Sequence, residues 1–306
     1  MDLSVVIINF NTKKLTLDCI KSVIRYTKKI KFEIIVVDNG STDSSITAIW
    51  NIKLPITNFK LKIIENKKNL GFAKANNQGI KASRGRYVLL LNSDTLVNDD
   101  VLGEMVGWMD NHPKVGIVSC RLRNIDGSEQ GTGGYFPTLI RVFSWMTIQD
   151  FPLVDRFIKP FHPIHRKFFN MGKKFYKSEK ELDWVTGAFF LIRRQVVKDI
   201  GYFDENYFMY TEEVDFCYRA KQKAWKVFYL PRWDILHYGG ASGINWSYAV
   251  PEYNGIKLFY QTHYPSWQFP ILRIILKIGA LGRIVLFGIL YGKEAAKTYV
   301  ESFKVA

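Results

Sequence analysis

Two short acidic clusters, each placed directly after an apolar run, are the residues of this chain best suited to chemistry. The cluster Asn92–Asp94 follows the run Tyr87–Leu91, and the cluster Glu212–Asp215 follows Tyr207–Thr211. Carboxylates just past an apolar strand lie at the edge of a sheet, where open α/β folds bind their ligands. One cluster could hold a metal ion on a phosphate, and the other could supply a base. The two clusters therefore predict chemistry on an activated, phosphate-bearing substrate.

Each cluster also has a simpler structural interpretation. Asp94 is a hard oxygen ligand of the kind that divalent cations take beside phosphates. Its triplet could instead be the N-cap of a helix near Val101, although Asn98 or Asp99 could provide that cap just as well. Glu212, Glu213 and Asp215 crowd like charges, which raises at least one carboxyl pKa and suits a general base. An acidic first turn that stabilises a helix dipole explains the same three residues. Taken alone, neither cluster decides between a site and a helix start.

Three further positions could belong to a site. Asp38 follows an apolar run and could accept the imide N–H of a uracil or thymine ring, or it could simply shape a turn, and the two interpretations weigh equally. Gly71, in the small-residue stretch 69–79, permits close approach of a ligand to the backbone, or of an overlying loop to a helix start. His237 becomes a metal-ligand candidate only if the fold brings it to Asp94.

The elements that must position these residues alternate through residues 3–121. Apolar runs predict five strands, and apolar side chains at helical spacing predict three helices between them. The strands are Leu3–Ile8, Glu33–Val37, Leu61–Ile64, Tyr87–Leu91 and Val115–Ser119, and the helices are Thr12–Tyr26, Gly71–Ala82 and Val101–Met109. This alternation predicts an α/β fold with a doubly wound, mostly parallel sheet. No GxGxxG follows the first strand, which argues against a dinucleotide site.

The pattern weakens over residues 122–182 and returns at Trp184–Ile192. A helix is expected over Glu213–Ala224, then a strand over Lys226–Leu230 and a loop to His237. The weak region contains a stretch, residues 156–177, in which basic and aromatic residues interleave. Single-strand nucleic-acid binding would use such a stretch, although no RRM, KH or helix-turn-helix signature accompanies it. A nucleic-acid-binding protein is therefore the alternative to an enzyme.

Composition limits the class of protein. The 306 residues are 47% hydrophobic and carry a net charge of +15, which allows a full core and favours anionic partners. Three widely spaced cysteines without a CxxC pair argue against a zinc site or disulfide framework and fit a reducing compartment. The N-terminal apolar run Val5–Ile8 is shorter than a signal peptide requires and no basic region precedes it, so we expect a cytosolic protein.

The C-terminal segment 269–292 is strongly apolar but contains three cations. They are Arg273, Lys277 and Arg283. At 100° per residue they fall within about a 120° arc. A membrane-spanning helix would place two of them near the bilayer centre at roughly 2.5–3.5 kcal/mol each, whereas a helix in the membrane plane lets them reach anionic headgroups. We therefore expect an amphipathic surface helix; the alternative is a helical hairpin broken at Gly279 or Gly282 and packed on the core.

Several short motifs follow one another along the chain: Val5–Asn11, Val36–Asp43, Asn69–Ala73, Leu89–Asp94, Trp184–Ala188, Gly201–Glu205, Met209–Arg219 and His237–Ser242. In this order they resemble the motifs of the family 2 glycosyltransferases of the GT-A fold, most closely their rhamnosyltransferase-like branch. Each motif alone is modest, whereas their order over residues 3–243 is specific.

The resemblance implies a role for each matching residue. Asp94 and His237 would bind a divalent metal, Mg²⁺ or Mn²⁺, and Glu213 would be the general base, with Asp215 and Glu212 as the other carboxylates of that cluster. Asp38 would read the pyrimidine base. The other donor-side positions are Asn9, Asn69, Gly71, Asn92, Trp184 and Gly187, of which Trp184 and Gly187 would line the donor–acceptor junction. Two positions depart from the family pattern, since Asn92 and Glu213 each stand where the family usually has Asp.

The resemblance also implies an organisation and a reaction. Residues 1–121 would form the nucleotide-sugar-binding half, 122–245 the acceptor-binding and catalytic half of the same domain, and 246–306 a helical, membrane-associating tail. The implied reaction is a metal-dependent, inverting transfer of a sugar, with dTDP-rhamnose as the suggested donor, to a hydroxyl of a cell-surface glycan or lipid-linked acceptor.

Single addition is expected rather than polymerisation. Processive members of the family carry Gln-x-x-Arg-Trp, and here Tyr229 occupies the Gln position before Arg232 and Trp233. The expected location is the inner face of the cell membrane, with the protein in contact with its anionic surface and not with nucleic acid.

Overall fold

The computed structural model of the chain describes residues 1–52, 59–149, 154–162, 175–239 and 249–306. The strands are β1 Leu3–Asn9, β2 Phe32–Asp38, β3 Phe59–Glu65, β4 Tyr87–Asn92, β5 Thr95–Leu96, β6 Val115–Arg123, β7 Glu129–Gln130, β8 Gly133–Gly134, β9 Lys180–Leu182, β10 Trp184–Val185, β11 Phe189–Arg193 and β12 Lys226–His237. The helices are α1 Lys13–Tyr26, α2 Ser45–Trp50, α3 Phe72–Ala82, α4 Val101–Asp110, α5 Leu139–Thr147, α6 Val154–Phe157, α7 Arg194–Ile200, α8 Glu212–Gln222, α9 Ala249–His263, α10 Gln268–Tyr291 and α11 Lys293–Val305. The strands and helices expected between residues 3 and 121 are confirmed, with β6 longer than expected.

Ten of these strands form one mixed sheet. Its order is β3-β2-β1-β4-β11-β6-β12-β5, with β7 beside β6 and β9 beside β12. Strands β1 to β4 run parallel to their neighbours among themselves, β11 is antiparallel to both β4 and β6, and β12 is parallel to β6. Every residue of β2 is buried, as expected for a parallel strand covered by helices on both faces. The mostly parallel α/β sheet is therefore confirmed.

Alternation along the strands divides the core between the two faces of the sheet. Val5 and Ile7 of β1 pack with Ile20 of α1 and Met105 of α4, whereas Val6 points to the opposite face, in the cluster built on α3, α5, α8 and α9. The expected boundary at residue 121 falls inside β6. Both halves of the chain therefore contribute to the same sheet and share its core.

The end of β12 differs from the loop expected between Leu230 and His237. The register of β12 on β6 shifts between Leu230 and Asp234, and Pro231 in that interval cannot donate a ladder hydrogen bond. Pairing resumes past this bulge, which is how a strand continues beyond a proline. His237 consequently ends a strand, opposite Thr95 of β5, and its backbone is fixed by the sheet.

The tail forms a helical hairpin, but its turn lies elsewhere than expected. Helix α10 continues through Gly279 and Gly282, and the chain reverses at Gly292, whose φ of 87° belongs to the left-handed region that favours glycine. Within the described residues, α10 is the one helix whose length and apolar composition would allow it to cross a membrane. It packs against α5 and α11.

Each of the three cations of α10 has a partner within the protein, and Arg273 is also exposed to solvent, so headgroup contact by these cations stays a prediction. Arg273 donates to the main-chain oxygen of Ala306, and Lys277 lies over the ring of Phe303. Arg283 donates to the carbonyl of Trp145 at 2.9 Å and covers its ring. The outward stripe is apolar, and its exposed members are Trp267, Ile271, Ile274, Ile278, Leu281, Val285 and Ile289.

Candidate active site

The first acidic cluster meets His237 at the carboxyl edge of the sheet. Strand β4 ends at Asn92 and a short turn leads to β5, which pairs with the end of β12. As a result Asp94 Oδ1 lies 3.3 Å from His237 Nε2, and both side chains are 13% exposed. Asn92 Nδ2 lies 3.5 Å from the same nitrogen. His237 therefore lies close to Asp94, which is the condition under which we expected it to be a metal-ligand candidate.

This pair has the donor chemistry of a divalent-metal site. A carboxylate oxygen and an imidazole nitrogen are both common metal ligands, and bonds of about 2.1 Å place neighbouring ligands of one ion roughly 3 Å apart. Within the described part of the chain, no group of three or more His, Cys, Asp or Glu residues is arranged to hold an ion. An ion here would take its remaining ligands from phosphate and water, as cations beside phosphates do.

Asn9 and Asp38 join the ends of β1 and β2, where they are register partners. Asn9 Nδ2 donates to Asp38 Oδ1 at 2.5 Å, and the backbone N–H of Ser41 donates to Oδ2 at 2.9 Å. Thr12 and Thr16 in turn donate to Asn9 Oδ1. Asp38 is fully buried, so a pyrimidine N–H would have to reach a carboxylate whose two oxygens already accept hydrogen bonds. Base reading by Asp38 stays a prediction.

Gly71 and Asn69 hold a loop against the start of α3. Asn69 Oδ1 accepts from Asn39 Nδ2 and from the N–H of Gly71. Gly71 has a φ of +87°, and a Cβ there would lie 2.6 Å from the carbonyl oxygen of Phe208, which accepts from the N–H of Phe72 at 2.7 Å. The close approach at Gly71 is therefore between an overlying loop and the helix start, as in the structural interpretation of this glycine. It holds the start of α3 against the loop that precedes Glu212.

Trp184 and Gly187 differ in their surroundings. Trp184 is 4% exposed and its indole N–H donates to the carbonyl of Phe161 at 3.1 Å. Its side chain lies in the core, and its role at the donor–acceptor junction stays a prediction. Gly187 is partly exposed, and a Cβ there would touch the ring of Phe72 at 3.2 Å, so this glycine keeps the loop between β10 and β11 close to the start of α3.

The second acidic cluster begins α8 after a strained turn. Tyr210 and Thr211 have φ values of 68° and 74°, and such left-handed conformations cost of order 1–3 kcal/mol each in residues other than glycine. Gly255 of α9 permits the turn, because a Cβ there would lie 2.6 Å from Thr211 Oγ1. Backbone strain of this kind concentrates at functional sites. The start of α8 is therefore a candidate site of chemistry.

The three carboxyl groups of this cluster are not equivalent. Asp215 Oδ1 pairs with His263 Nε2 at 2.7 Å and its Oδ2 with Arg219 at 2.8 Å. Glu212 is almost fully buried, and burial together with the charge of Glu213 raises its pKa well above the usual range. Burial raises the pKa of Glu213 to about 7. A carboxyl group with such a pKa can accept and release protons near neutrality.

Among the described residues, nothing donates a hydrogen bond to Oε2 of Glu212 or of Glu213. The nearby charge of Glu252 raises the pKa of Glu213 further, and His162 opposes that effect. Glu252 Oε1 itself pairs with His162 Nε2 at 2.8 Å. Glu252 and His162 lie outside every recognisable motif, so sequence reasoning missed them.

A cleft of about 280 Å³ adjoins the strained turn. It is lined by Asn206, Tyr207, Phe208, Met209, Tyr210, Val250, Pro251, Asn254, Gly255 and Leu258. The loop that forms one wall leads directly into α8, and the other wall is the first half of α9. This cleft combines aromatic surfaces with two side-chain amides.

The basic, aromatic stretch 156–177 falls largely on residues 163–174, outside the described ranges. Of its aromatic residues within those ranges, Phe157 is 86% exposed, whereas Phe161 and Tyr176 are 2% and 3% exposed. Tyr176 donates to the carbonyl of Gly133. Rings held in the core cannot stack on bases, so these two residues give no support to a nucleic-acid surface.

Comparison with solved structures identifies the fold. GalNAc-T7 with UDP, GalNAc and Mn²⁺ superimposes with a TM-score of 0.62 at 15% identity over 98% of this chain and 56% of that one. The mannosyltransferase PcManGT from Pyrobaculum calidifontis, with GDP-Man and Mn²⁺, gives a TM-score of 0.57 at 15% identity over 98% of this chain and 73% of that one. The fold is the GT-A fold of glycosyltransferases.

Sequence comparison identifies the family. Residues 4–201 match the family Glycosyl transferase family 2, so the chain belongs to this family. It is 27% identical over 217 residues to the N-acetylglucosaminyl-diphospho-decaprenol L-rhamnosyltransferase of Mycobacterium tuberculosis H37Rv, covering 67% of this chain and 66% of that protein. It is 25% identical over 227 residues to the poly-beta-1,6-N-acetyl-D-glucosamine synthase of Staphylococcus epidermidis, covering 73% of this chain and 46% of the synthase.

Proposed function

We propose that the chain is a metal-dependent, inverting glycosyltransferase, and that it adds single sugars from a nucleoside diphosphate donor to a hydroxyl of a glycan or lipid-linked saccharide. The 3.3 Å approach of Asp94 to His237 carries the proposal. These two side chains would form a two-ligand metal site at the sheet edge, where open α/β folds bind nucleotides. The assignments of Asp94 and His237 to the metal and of Glu213 to the base are part of the proposal.

The reaction follows from the chemistry of the proposed groups. A divalent ion held by Asp94 and His237 would stabilise the negative charge that collects on the departing nucleoside diphosphate. Glu213 accepts the proton of the acceptor hydroxyl as its oxygen forms a bond to the anomeric carbon. The bond from that carbon to the diphosphate breaks, and its electron pair leaves with the diphosphate. One such displacement inverts the anomeric centre, and a base with a pKa of about 7 suits it near neutral pH.

The mycobacterial relative guides the choice of substrates. Its name describes an L-rhamnosyltransferase that acts on an N-acetylglucosaminyl-diphospho lipid. We therefore propose dTDP-rhamnose as donor and a lipid-linked saccharide as acceptor. The cleft beside the strained turn suits the acceptor's sugar, because aromatic faces can cover its C–H surfaces and the amides of Asn206 and Asn254 can bond to its hydroxyls.

A peripheral position at the inner face of the membrane completes the proposal. The outward stripe of α10 exposes large apolar side chains, among them Val285 at 64% and Ile289 at 79%. An amphipathic helix with such a face lies in the membrane interface. That position would bring a lipid-linked acceptor to the enzyme, and the net charge of +15 favours an anionic surface.

The test is a screen of nucleotide sugars for transfer and hydrolysis, with dTDP-rhamnose first, in the presence of Mg²⁺, Mn²⁺ or EDTA. The expected result is turnover that EDTA abolishes and that His237→Ala reduces strongly. Turnover that survives EDTA would overturn metal dependence. Folded protein that turns over none of the common UDP, GDP and dTDP sugars would overturn the donor class.

A further inference from the structure

We infer that Gln130 prepares His237 for metal binding by holding it in one tautomer, with its proton on Nδ1 and the lone pair of Nε2 directed at Asp94. The inference rests on the proposed function for the identity of the bound group, a divalent cation. The tautomer itself is a property of the metal-free protein. Gln130 is thus a positioning residue that acts through His237.

The hydrogen-bond partners of the Gln130 side chain determine the orientation of its amide. Gln130 Nε2 lies 2.7 Å from the backbone carbonyl oxygen of His237 and 2.6 Å from Asn124 Oδ1. A backbone carbonyl can only accept, so the amide nitrogen must be the atom that faces it. The oxygen of the same amide then faces the ring of His237, with Oε1 at 2.7 Å from Nδ1.

The orientation of this amide determines the imidazole tautomer. An amide oxygen only accepts hydrogen bonds, so a contact of 2.7 Å requires the proton to be on His237 Nδ1. A neutral ring with that proton has a bare Nε2. This bare nitrogen faces Asp94 Oδ1 at 3.3 Å, and two lone-pair atoms at such a distance need positive charge between them. A metal ion bound by both atoms would provide it, and in the metal-free protein a second proton on Nε2 would do the same.

The backbone around Gln130 fixes its side chain. Gln130 lies in β7, opposite Leu122 of β6, and its carbonyl accepts from Thr132 Oγ1. Because its amide bonds both to the ring and to the carbonyl of His237, it restrains the ring orientation as well as the tautomer. Outer partners that orient a metal-binding histidine also raise its basicity as a ligand, and their loss typically weakens metal binding by about 10–100-fold.

The experiment compares Gln130→Met, which keeps the length but removes the acceptor, with Gln130→Glu, which keeps an acceptor for Nδ1–H. Gln222→Met, at an exposed position of α8, is the matched control. Imidazole ¹⁵N NMR of the metal-free proteins, at an alkaline pH where the ring is neutral, reports the tautomer, and calorimetric titration with MnCl₂ alone reports affinity. We expect a protonated Nδ1 and bare Nε2 in the unmodified protein, and a mixture of tautomers with about 10–100-fold weaker Mn²⁺ binding in Gln130→Met. Gln130→Glu should keep the tautomer and bind Mn²⁺ more tightly than Gln130→Met.

Two results would overturn the inference: a neutral ring with its single proton on Nε2 in the unmodified protein, or Mn²⁺ binding by Gln130→Met equal to that of Gln222→Met. His237→Ala tests the proposed metal site separately. If it binds Mn²⁺ as tightly as the unmodified protein, the metal site is wrong, while the NMR spectrum still decides whether Gln130 sets the tautomer.

Discussion

Glu213 and Asp215 lie two positions apart in the first turn of α8, and their carboxyl groups have opposite surroundings. Asp215 is held between Arg219 and His263, whereas Oε2 of Glu213 is buried without a hydrogen-bond donor among the described residues. Residues i and i+2 of a helix point to different faces. A carboxylate bound on both oxygens is a poor proton acceptor, so this geometry favours Glu213 over Asp215 as the base.

Glu213→Gln is expected to abolish transfer while donor binding is retained. The amide cannot accept the acceptor's proton, and loss of a general base typically lowers the rate by about 10²–10⁴-fold. Turnover with the identified donor and calorimetric donor binding, each measured with the same metal, check both parts. Full turnover in this variant would place the base elsewhere.

Asp215→Asn is the matched variant on the same helix turn. It weakens two ion pairs of a buried carboxylate, so we expect lower stability, by about 1–3 kcal/mol, with turnover of the folded fraction reduced far less than in Glu213→Gln. Urea unfolding and turnover per folded molecule separate the two effects. A rate loss in Asp215→Asn as large as in Glu213→Gln, at full folding, would make Asp215 the base.

The pH dependence of transfer should follow the titration of Glu213. Its pKa is raised to about 7, and the deprotonated form is the base, so kcat should reach a plateau above pH 7 and fall about tenfold per pH unit well below it. Because Glu212 lies beside it and interacts with its charge, the apparent pKa belongs to the pair. A profile that is flat between pH 5 and pH 8 would contradict this assignment.

Glu212→Gln should stabilise the protein at alkaline pH. The folded-state pKa of Glu212 is raised above its unfolded-state pKa by burial and by the charge of Glu213. The unmodified protein therefore loses stability as the pH rises from the unfolded-state pKa towards the raised folded-state pKa. The neutral amide avoids this loss, and we expect a gain on the order of 1–3 kcal/mol at pH 8 that disappears at pH 4.5. Urea unfolding at the two pH values measures it, with Glu294→Gln on the exposed face of α11 as control. A gain of equal size at both pH values would argue against the titration.

The N-terminal half could be predicted because its pattern is local. Apolar runs such as Tyr87–Leu91 and helical spacing in α1 determine elements whose ends follow from neighbouring residues. Asp94 and Glu213 could be singled out for the same reason, since each directly follows such an element or its turn.

The rest depends on contacts between distant segments. Gln130 lies in a two-residue strand within a weakly patterned region, and only the pairing of β7 with β6 brings it to His237. Trp184 is a predicted site residue, and its partner Phe161 belongs to a segment whose position cannot be deduced from local pattern. Helical periodicity correctly predicts that the three cations of α10 share one face of the helix. Whether that face points to solvent or to the protein depends on packing against α5 and α11.

Asn254→Ala tests the acceptor cleft. Asn254 is exposed on α9 and lines the cleft, so its loss should raise the KM for the saccharide acceptor several-fold, about the effect of one or two hydrogen bonds. The KM for the donor and its metal-dependent hydrolysis should not change. Lys297→Ala, exposed on α11, serves as control. Equal acceptor KM values in the two variants would remove the cleft from the acceptor site.

The apolar outward face of α10 is expected to bind membranes by inserting into them. Its exposed positions are apolar and its cations are engaged with Trp145, Phe303 and Ala306, so vesicle binding should depend chiefly on apolar insertion and not on headgroup attraction by the helix. The triple variant Ile274→Gln, Ile278→Gln, Val285→Gln should lose binding to neutral and anionic vesicles alike, by about tenfold or more, while hydrolysis of a soluble donor is unchanged. Sedimentation with vesicles of phosphatidylcholine, with and without phosphatidylglycerol, measures this, and Lys297→Gln is the control. Unchanged partitioning of the triple variant would contradict membrane docking; a dimer of the unmodified protein that the triple variant dissociates would assign the stripe to a second copy of the chain.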